Sequence, residues 1–249
     1  MISDNDAYKF YQGLNPPGVF EDAPFSLQIA RGTSSFEWNP GGCQRNAAIF
    51  DKFNVIPEFC FGCYKVQVEP RTVVELFKLL MVFEKPFLPN NHLRKCMVEL
   101  RPDTPGAYKG FVYCRGIEDG EEVCDLVKRK VTDEISPHIS VELKRGCSHF
   151  GAAYPEYASI KSGVEPMKYS ESWRAYEEEF DKKAVYRKSQ PGVSKTNDDG
   201  GPKFTPAEVF AMTYWLGYAA TIGDGSYLTV AGITLPPIPG LKRPPFVQS

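Results

Sequence analysis

The chain has 249 residues, 42% of them hydrophobic, a formal net charge of −2 and a pI near 6.0. That apolar fraction excludes a disordered chain, and the near-neutral balance leaves no broad positive surface for nucleic acid or anionic lipid. Met1 to Asp6 show no basic region leading into an apolar run, so no secretory leader is expected; seven cysteines then point to reduced thiols in a cytoplasmic setting.

Residues 1–57 read as an N-terminal arm, rich in Phe, Tyr, Pro and Gly, with one short helix predicted from Gln44 to Phe53. Its aromatics need something to bury against, so the arm is expected to pack on the core that follows.

That core, residues 58–150, holds six elements. Tyr64, Val66 and Val68 alternate with Lys65, Gln67 and Glu69, a strand that Pro70 ends. Thr72 and Glu75, at capping-box spacing, open a helix with apolar Val73, Val74, Leu76, Phe77, Leu79 and Leu80, and Pro86 stops it. Cys96 to Arg101 and Lys109 to Cys114 flank a turn at Asp103 to Ala107, which predicts a hairpin. A second helix is predicted from about Asp119, with Val123, Leu126, Val127 and Val131 at helical spacing. Ile139, Val141 and Leu143 alternate with polar residues in a fourth strand that runs to Arg145. This succession predicts an α+β protein with a ferredoxin-like βαββαβ core: an antiparallel sheet in the order 4-1-3-2, with N- and C-terminal extensions packed on it.

Residues 151–249 read as a mainly helical C-terminal extension with a Pro-rich tail. A helix is predicted from Ser170 to Lys183, then a polar loop over residues 187–203. Thr205-Pro206-Ala207-Glu208 is a helix start, and Gly223 or Gly225 the stop, with Asp224 between them a turn residue. Pro206 to Ile222 is shorter than the ~20 residues a membrane span needs and carries Glu208, Thr213, Tyr214, Tyr218 and Thr221, so a buried helix is expected. A short strand from Tyr227 to Ala231 and an extended tail from Pro236 to Pro245 complete the reading.

In the predicted topology the start of strand one lies beside the end of strand four. Cys60 and Cys63 then approach Cys147 and His149, with Cys43 on the incoming segment. Cys60, Cys63, Cys147 and either Cys43 or His149 could supply the four soft or borderline ligands of a zinc site. The same residues suit thiol chemistry. Cys43 leads into a helix, whose positive end favours thiolate, and His149 is the best-placed base. Free cysteines are also often small buried hydrophobes, and the same residues fit that plainer reading. Cys96 and Cys114 would face each other, close enough for a disulfide, if Pro102 pairs with Tyr108; Cys124 reads as core, and His92 and His138 as exposed loop residues.

A period of two places Arg101, Lys109, Phe111, Tyr113 and Lys144 on the sheet face away from the helices, where they could hold a small anionic molecule. Lys109-Gly110-Phe111-Val112-Tyr113 resembles the opening of the RNA-recognition-motif signature, and the resemblance implies base stacking on Phe111 and Tyr113. The sequence departs from that pattern: Val112 replaces a small residue, Gly116 stands where an aromatic belongs, and Glu69, Glu99 and Glu142 would repel phosphates. Nucleic acid therefore ranks third among the partners. No phosphate loop, dinucleotide fingerprint, His-Glu-x-x-His or nucleophile elbow is present in the sequence. The leading reading is a cysteine-rich metal or thiol site at one sheet edge, with a small anionic molecule at the open face. The second is a non-catalytic binding or assembly module that meets a protein partner through that face and the Pro-rich tail.

Overall fold

Alternating apolar positions pair five segments into one antiparallel sheet, and amphipathic segments supply the helices that cover it. The computed structural model describes residues 1–14, 27–32, 42–85, 87–101, 104–160, 165–183 and 204–232. In chain order the elements are α1 (Asp4–Gly13), β1 (Gln28–Arg31), α2 (Gly42–Phe53), α3 (Glu58–Phe61), β2 (Cys63–Glu69), α4 (Val73–Glu84), β3 (Arg94–Val98), β4 (Tyr108–Arg115), α5 (Gly116–Glu134), β5 (Ser140–Arg145), α6 (Ser148–Ala153), α7 (Pro155–Ala158), α8 (Arg174–Lys183), α9 (Pro206–Thr221) and α10 (Tyr227–Ala231). The protein is thus mixed α and β, with ten α-helices and five strands among the described residues. The polar loop at 187–203, the Pro-rich tail at 236–245 and residues 39–41 ahead of Cys43 lie outside them.

The sheet order is β1-β3-β4-β2-β5. The sheet therefore has five strands, not the four predicted, and an order of 1-3-4-2-5 counted along the chain. The added strand comes from the arm: β1 pairs with β3, Gln28 opposite Met97 and Arg31 opposite Arg94. Four residues are too few to show a convincing period, which is why β1 escapes a reading by pattern. Arg31, 5% exposed, anchors this edge through ion pairs to Glu84 of α4 and Glu208 of α9.

Helices α4 and α5 cover one face of the sheet. α4 buries ten of its twelve residues, more than one apolar stripe requires, because α1, α9 and α10 pack on its outer side. The buried Trp215 of α9 joins these layers: its ring meets Phe77 edge-on at 5.8 Å, and its Nε1 donates to the Leu27 carbonyl at 3.0 Å. A second apolar cluster, of Ile56, Cys60, Phe150 and Tyr157 with Phe61 and Trp173 against it, fills the corner between α3, α6 and α7.

The caps agree with the sequence in part. Thr205 and Glu208 form a complete capping box. Thr72 Oγ1 accepts the Glu75 N–H at 3.2 Å, but the Glu75 carboxylate passes Thr72 and takes the Arg71 N–H at 2.7 Å. Thr72→Ala should therefore cost about 1 kcal/mol, read as a lowered urea midpoint; an unchanged midpoint would show that the cap carries no stability.

Three other expectations change. α5 begins at Gly116, whose φ of +76° lets the chain turn straight out of β4, so Asp119 sits in the first turn and does not precede the helix. Residues Tyr227–Ala231 are helical despite their β-favouring Tyr, Thr and Val, because they pack against α1 and α4. In the hairpin Arg94 pairs with Val112 and Cys96 with Gly110. Cys96 and Cys114 are then not opposite each other, and all seven cysteines are free thiols. Among the described residues no helix is long and apolar enough to cross a membrane.

Candidate functional site

The sheet face away from α4 and α5 carries the polar side chains of β2, β4 and β5, and α6 folds over its rim. Between them lies a cleft of about 640 Å³, lined by Gln67 and Glu69 of β2, Lys109 of β4, Lys144 of β5, Arg101, Thr104 and Pro105 from the hairpin, and Ser148, His149, Ala152 and Ala153 of α6. Arg101, Lys109 and Lys144, expected on one face from their period, thus share one cleft with His149.

Lys109 is 2% exposed, and its Nζ donates to Glu69 Oε1 at 2.7 Å. Burial pushes the Glu69 carboxyl up, but the bond and charge of Lys109 outweigh it and hold the group below its ordinary range. Arg101 pairs with Glu99, Nη2 to Oε2 at 2.7 Å, and Lys144 reaches Glu142 at 3.6 Å. The side chains of both cations are about half exposed. Among the described lining residues Glu69 is the one acid. Burial lowers the His149 pKa, and Lys65 and Arg101 add to that against the pull of Asp51, so the imidazole is neutral at pH 7. The ring rests on Phe50 at 5.3 Å and Phe150 at 4.3 Å between centroids, and its Nε2 is buried without a hydrogen-bond partner.

Phe111 and Tyr113 lie on the same face outside the cleft lining. The Lys65 ammonium sits 5.0 Å from the Phe111 ring centre and that of Lys95 5.3 Å from the Tyr113 ring. Neither lysine has a carboxylate partner among the described residues. Burial lowers both lysine pKa values. Lys65 is the cross-strand neighbour of Lys144, so positive charge extends from the cleft along the sheet.

The thiols gather near this rim without forming a ligand set. Cys63 opens β2, Cys147 caps α6, Cys60 lies in α3, and Cys43 is exposed in the first turn of α2. Burial pushes the Cys63 thiol up to about 12, with Cys147 and Cys43 adding to the rise. Burial also raises Cys60 strongly, and raises Cys147 despite Lys65, Arg101 and Lys95. These three are neutral thiols at pH 7. Cys43 and His149 share no hydrogen bond. Cys60, Cys63, Cys147 and His149 are not among the groups whose ligand atoms come within 4.8 Å of one another.

A different group does. His92, Cys114 and Asp119 each bring one ligand atom within 4.8 Å of the other two and could hold a metal ion. The hairpin register explains it. Arg94 opposite Val112 places His92 opposite Cys114, and the immediate turn into α5 swings Asp119 over both. His92 Nε2 meets Asp119 Oδ1 at 2.9 Å and Oδ2 at 3.1 Å, and the Arg115 N–H donates to Oδ2 at 2.7 Å. His92, expected as an exposed loop residue, is 3% exposed, and its Nδ1 has no partner. The signal that locates this group is the hairpin register, which the sequence between Val98 and Tyr108 does not specify. Comparison with protein-family models, curated proteins and solved structures finds no match to this chain.

Proposed function

We propose that the protein binds a small anionic molecule, carrying a phosphate or carboxylate group, in the cleft between α6 and the open face of the sheet. The observation that carries this reading is the charge of the lining: Arg101, Lys109 and Lys144 converge with a neutral histidine, against Glu69 as the one acid among the described lining residues. Lys109 is held in place by its ion pair, so it presents fixed positive potential. Arg101 and Lys144 are exposed enough to close on a ligand. Charge-assisted bonds contribute ~1.5–3 kcal/mol each, so two good contacts give about millimolar affinity before any apolar burial.

The scaffold that goes with this reading is a ferredoxin-like βαββαβ core. The order β5-β2-β4-β3 supports it, with β1 as an addition from the arm. Seven free thiols support a reducing, cytoplasmic setting. Stacking of RNA bases is disfavoured, because Phe111 is 9% exposed and both aromatic rings already carry a lysine.

The test is a melting-temperature titration with inorganic phosphate, a nucleoside monophosphate and citrate. A bound anion raises stability by about 2.7 kcal/mol at a hundred times its Kd. Arg101→Ala and Lys144→Ala should each weaken binding by about tenfold or more, since each removes a charged hydrogen bond. The unliganded melting temperature of Lys144→Ala should hardly move, since it loses only an exposed ion pair, whereas Arg101→Ala takes the guanidinium from the buried Glu99 carboxylate and should melt lower even without ligand. No shift with any of the three anions, or a shift that survives in the double variant, defeats the reading.

A further inference from the structure

The group on the helix side of the sheet is separate from the cleft. Cys114 belongs to the core that α4 and α5 cover, and Lys109, Phe111 and Tyr113 occupy the other face of the same strand. We propose that His92, Cys114 and Asp119 hold a divalent ion of the zinc class, which ties the segment before β3 and the end of β4 to the first turn of α5.

The distances suit such an ion. Bonds near 2.0–2.3 Å in a tetrahedron set ligand atoms roughly 3.3–3.8 Å apart. Three atoms already within 4.8 Å of one another need only small side-chain shifts to close on it. The donor chemistry is selective. One sulfur, one imidazole nitrogen and one carboxylate oxygen suit zinc, cobalt(II) or iron(II), and a thiolate ligand discriminates against magnesium and calcium. The charges also balance: a thiolate and a carboxylate offset the two positive charges of the ion, and the imidazole is neutral. A site with no net charge is the arrangement a buried position tolerates best.

The surroundings prepare these ligands. The Arg115 N–H holds Asp119 Oδ2, which leaves Oδ1, beside His92 Nε2, to face the ion. Outer-shell bonds of this kind orient metal ligands. Cys114 is fixed by its place in β4 and His92 by the strand it precedes, so the chain orders two ligands before any ion arrives. The Asp119 side chain is 24% exposed and His92 only 3%. Any fourth ligand, such as water, therefore reaches the ion from the Asp119 side. With three protein ligands and one open position the site has the coordination of a reactive zinc centre, although its place under α5 makes it first of all a clamp.

Cobalt(II) is the probe, because thiolate ligation gives it an intense charge-transfer absorption. The full-length protein, treated with chelator and dialysed, should take up one cobalt per chain, show that band and melt at a higher temperature. Cys114→Ser should abolish the band. Cys114 is buried, so that variant could fail to fold, and Asp119→Asn carries the test independently. It should keep the band but weaken cobalt affinity more than about 100-fold, beyond the ~10–100-fold that loss of an outer-shell partner costs. The proposal is overturned if excess cobalt gives no thiolate band in the unmutated protein, or if Asp119→Asn binds cobalt as tightly. It is also overturned if Cys63→Ser, and not Cys114→Ser, removes the band.

Discussion

Gly146→Ala should destabilise the protein by about 2–5 kcal/mol and abolish the proposed anion binding together with it. Two costs combine: about 1–2 kcal/mol for a side chain in the left-handed region and about 1–3 kcal/mol for overpacking. Gly146 follows β5 directly, with φ +53°, and its N–H donates to the Cys63 carbonyl at 2.8 Å. A Cβ there would lie 1.8 Å from Tyr157 Oη and 2.6 Å from Cζ. Tyr157 has nowhere to go. It is 0% exposed, its hydroxyl donates to the Cys60 carbonyl at 2.7 Å, and its ring lies against Phe61, Phe150 and the Arg145 guanidinium. Arg145 in turn donates to the carbonyls of Phe61 and Met167 at 3.0 and 2.9 Å, so the corner is braced from three sides. Ser148 and His149 begin α6 two residues later, and a displaced corner carries them away from the cleft. Denaturant titration measures the loss. A change under about 0.5 kcal/mol, the size of an ordinary surface substitution, would show that Tyr157 yields and that the corner is soft.

That corner was only half legible in the sequence. The period of two in β2, β4 and β5 gave their faces, and so brought Lys109 and Lys144 to one side. The predicted neighbours, the start of β2 and the end of β5, are indeed paired, Tyr64 opposite Arg145. Proximity of main chain does not aim side chains. Cys60 lies in an apolar cluster, and the half-buried thiols of Cys63 and Cys147, raised by burial, do not form with it a group whose ligand atoms come within 4.8 Å of one another. The group at His92 depends on a register. A shift in the hairpin exchanges Cys96 for His92 as the neighbour of Cys114 and replaces a possible disulfide with a histidine–aspartate pair. Nothing in the composition of the hairpin loop chooses between the two. β1 and α10 were missed for a related reason: short segments take their conformation from what they pack against, here β3 for one and α1 with α4 for the other.

Asp224 shows the same principle through a residue that reads as a plain turn, and it supplies the second large expected effect. Its Oδ2 accepts the Val73 N–H at 2.7 Å and the Tyr108 hydroxyl at 2.6 Å, and its Oδ1 accepts the Ser226 N–H at 3.0 Å. One carboxylate thereby joins the first turn of α4, the start of β4 and the segment after α9. Asp224→Ala strands a buried phenol, 1% exposed, and an N–H at a helix start. At ~1–3 kcal/mol for each unsatisfied group the loss is about 2–6 kcal/mol. Lost attraction between the carboxylate and the α4 dipole adds about 0.3–1 kcal/mol. The pH dependence follows from the carboxyl itself. Burial pushes its pKa up, but the bonds from Tyr108, Ser226 and Val73 prevail and hold it below the ordinary value of 3.8. A depressed folded-state pKa means that the unfolded chain takes up the proton first, so the stabilisation is complete above 3.8 and is lost as pH falls through the folded value. Other carboxyls titrate in the same range, Glu69 and Glu99 among them, so the useful quantity is the difference between the unmutated protein and Asp224→Asn, which cannot ionise. That difference should be constant from neutral pH down to about pH 5, well above the unfolded pKa, and should shrink steadily below pH 4. A gap that stays level or widens in acid would mean that Asp224 is held by its shape as a turn and not by its charge.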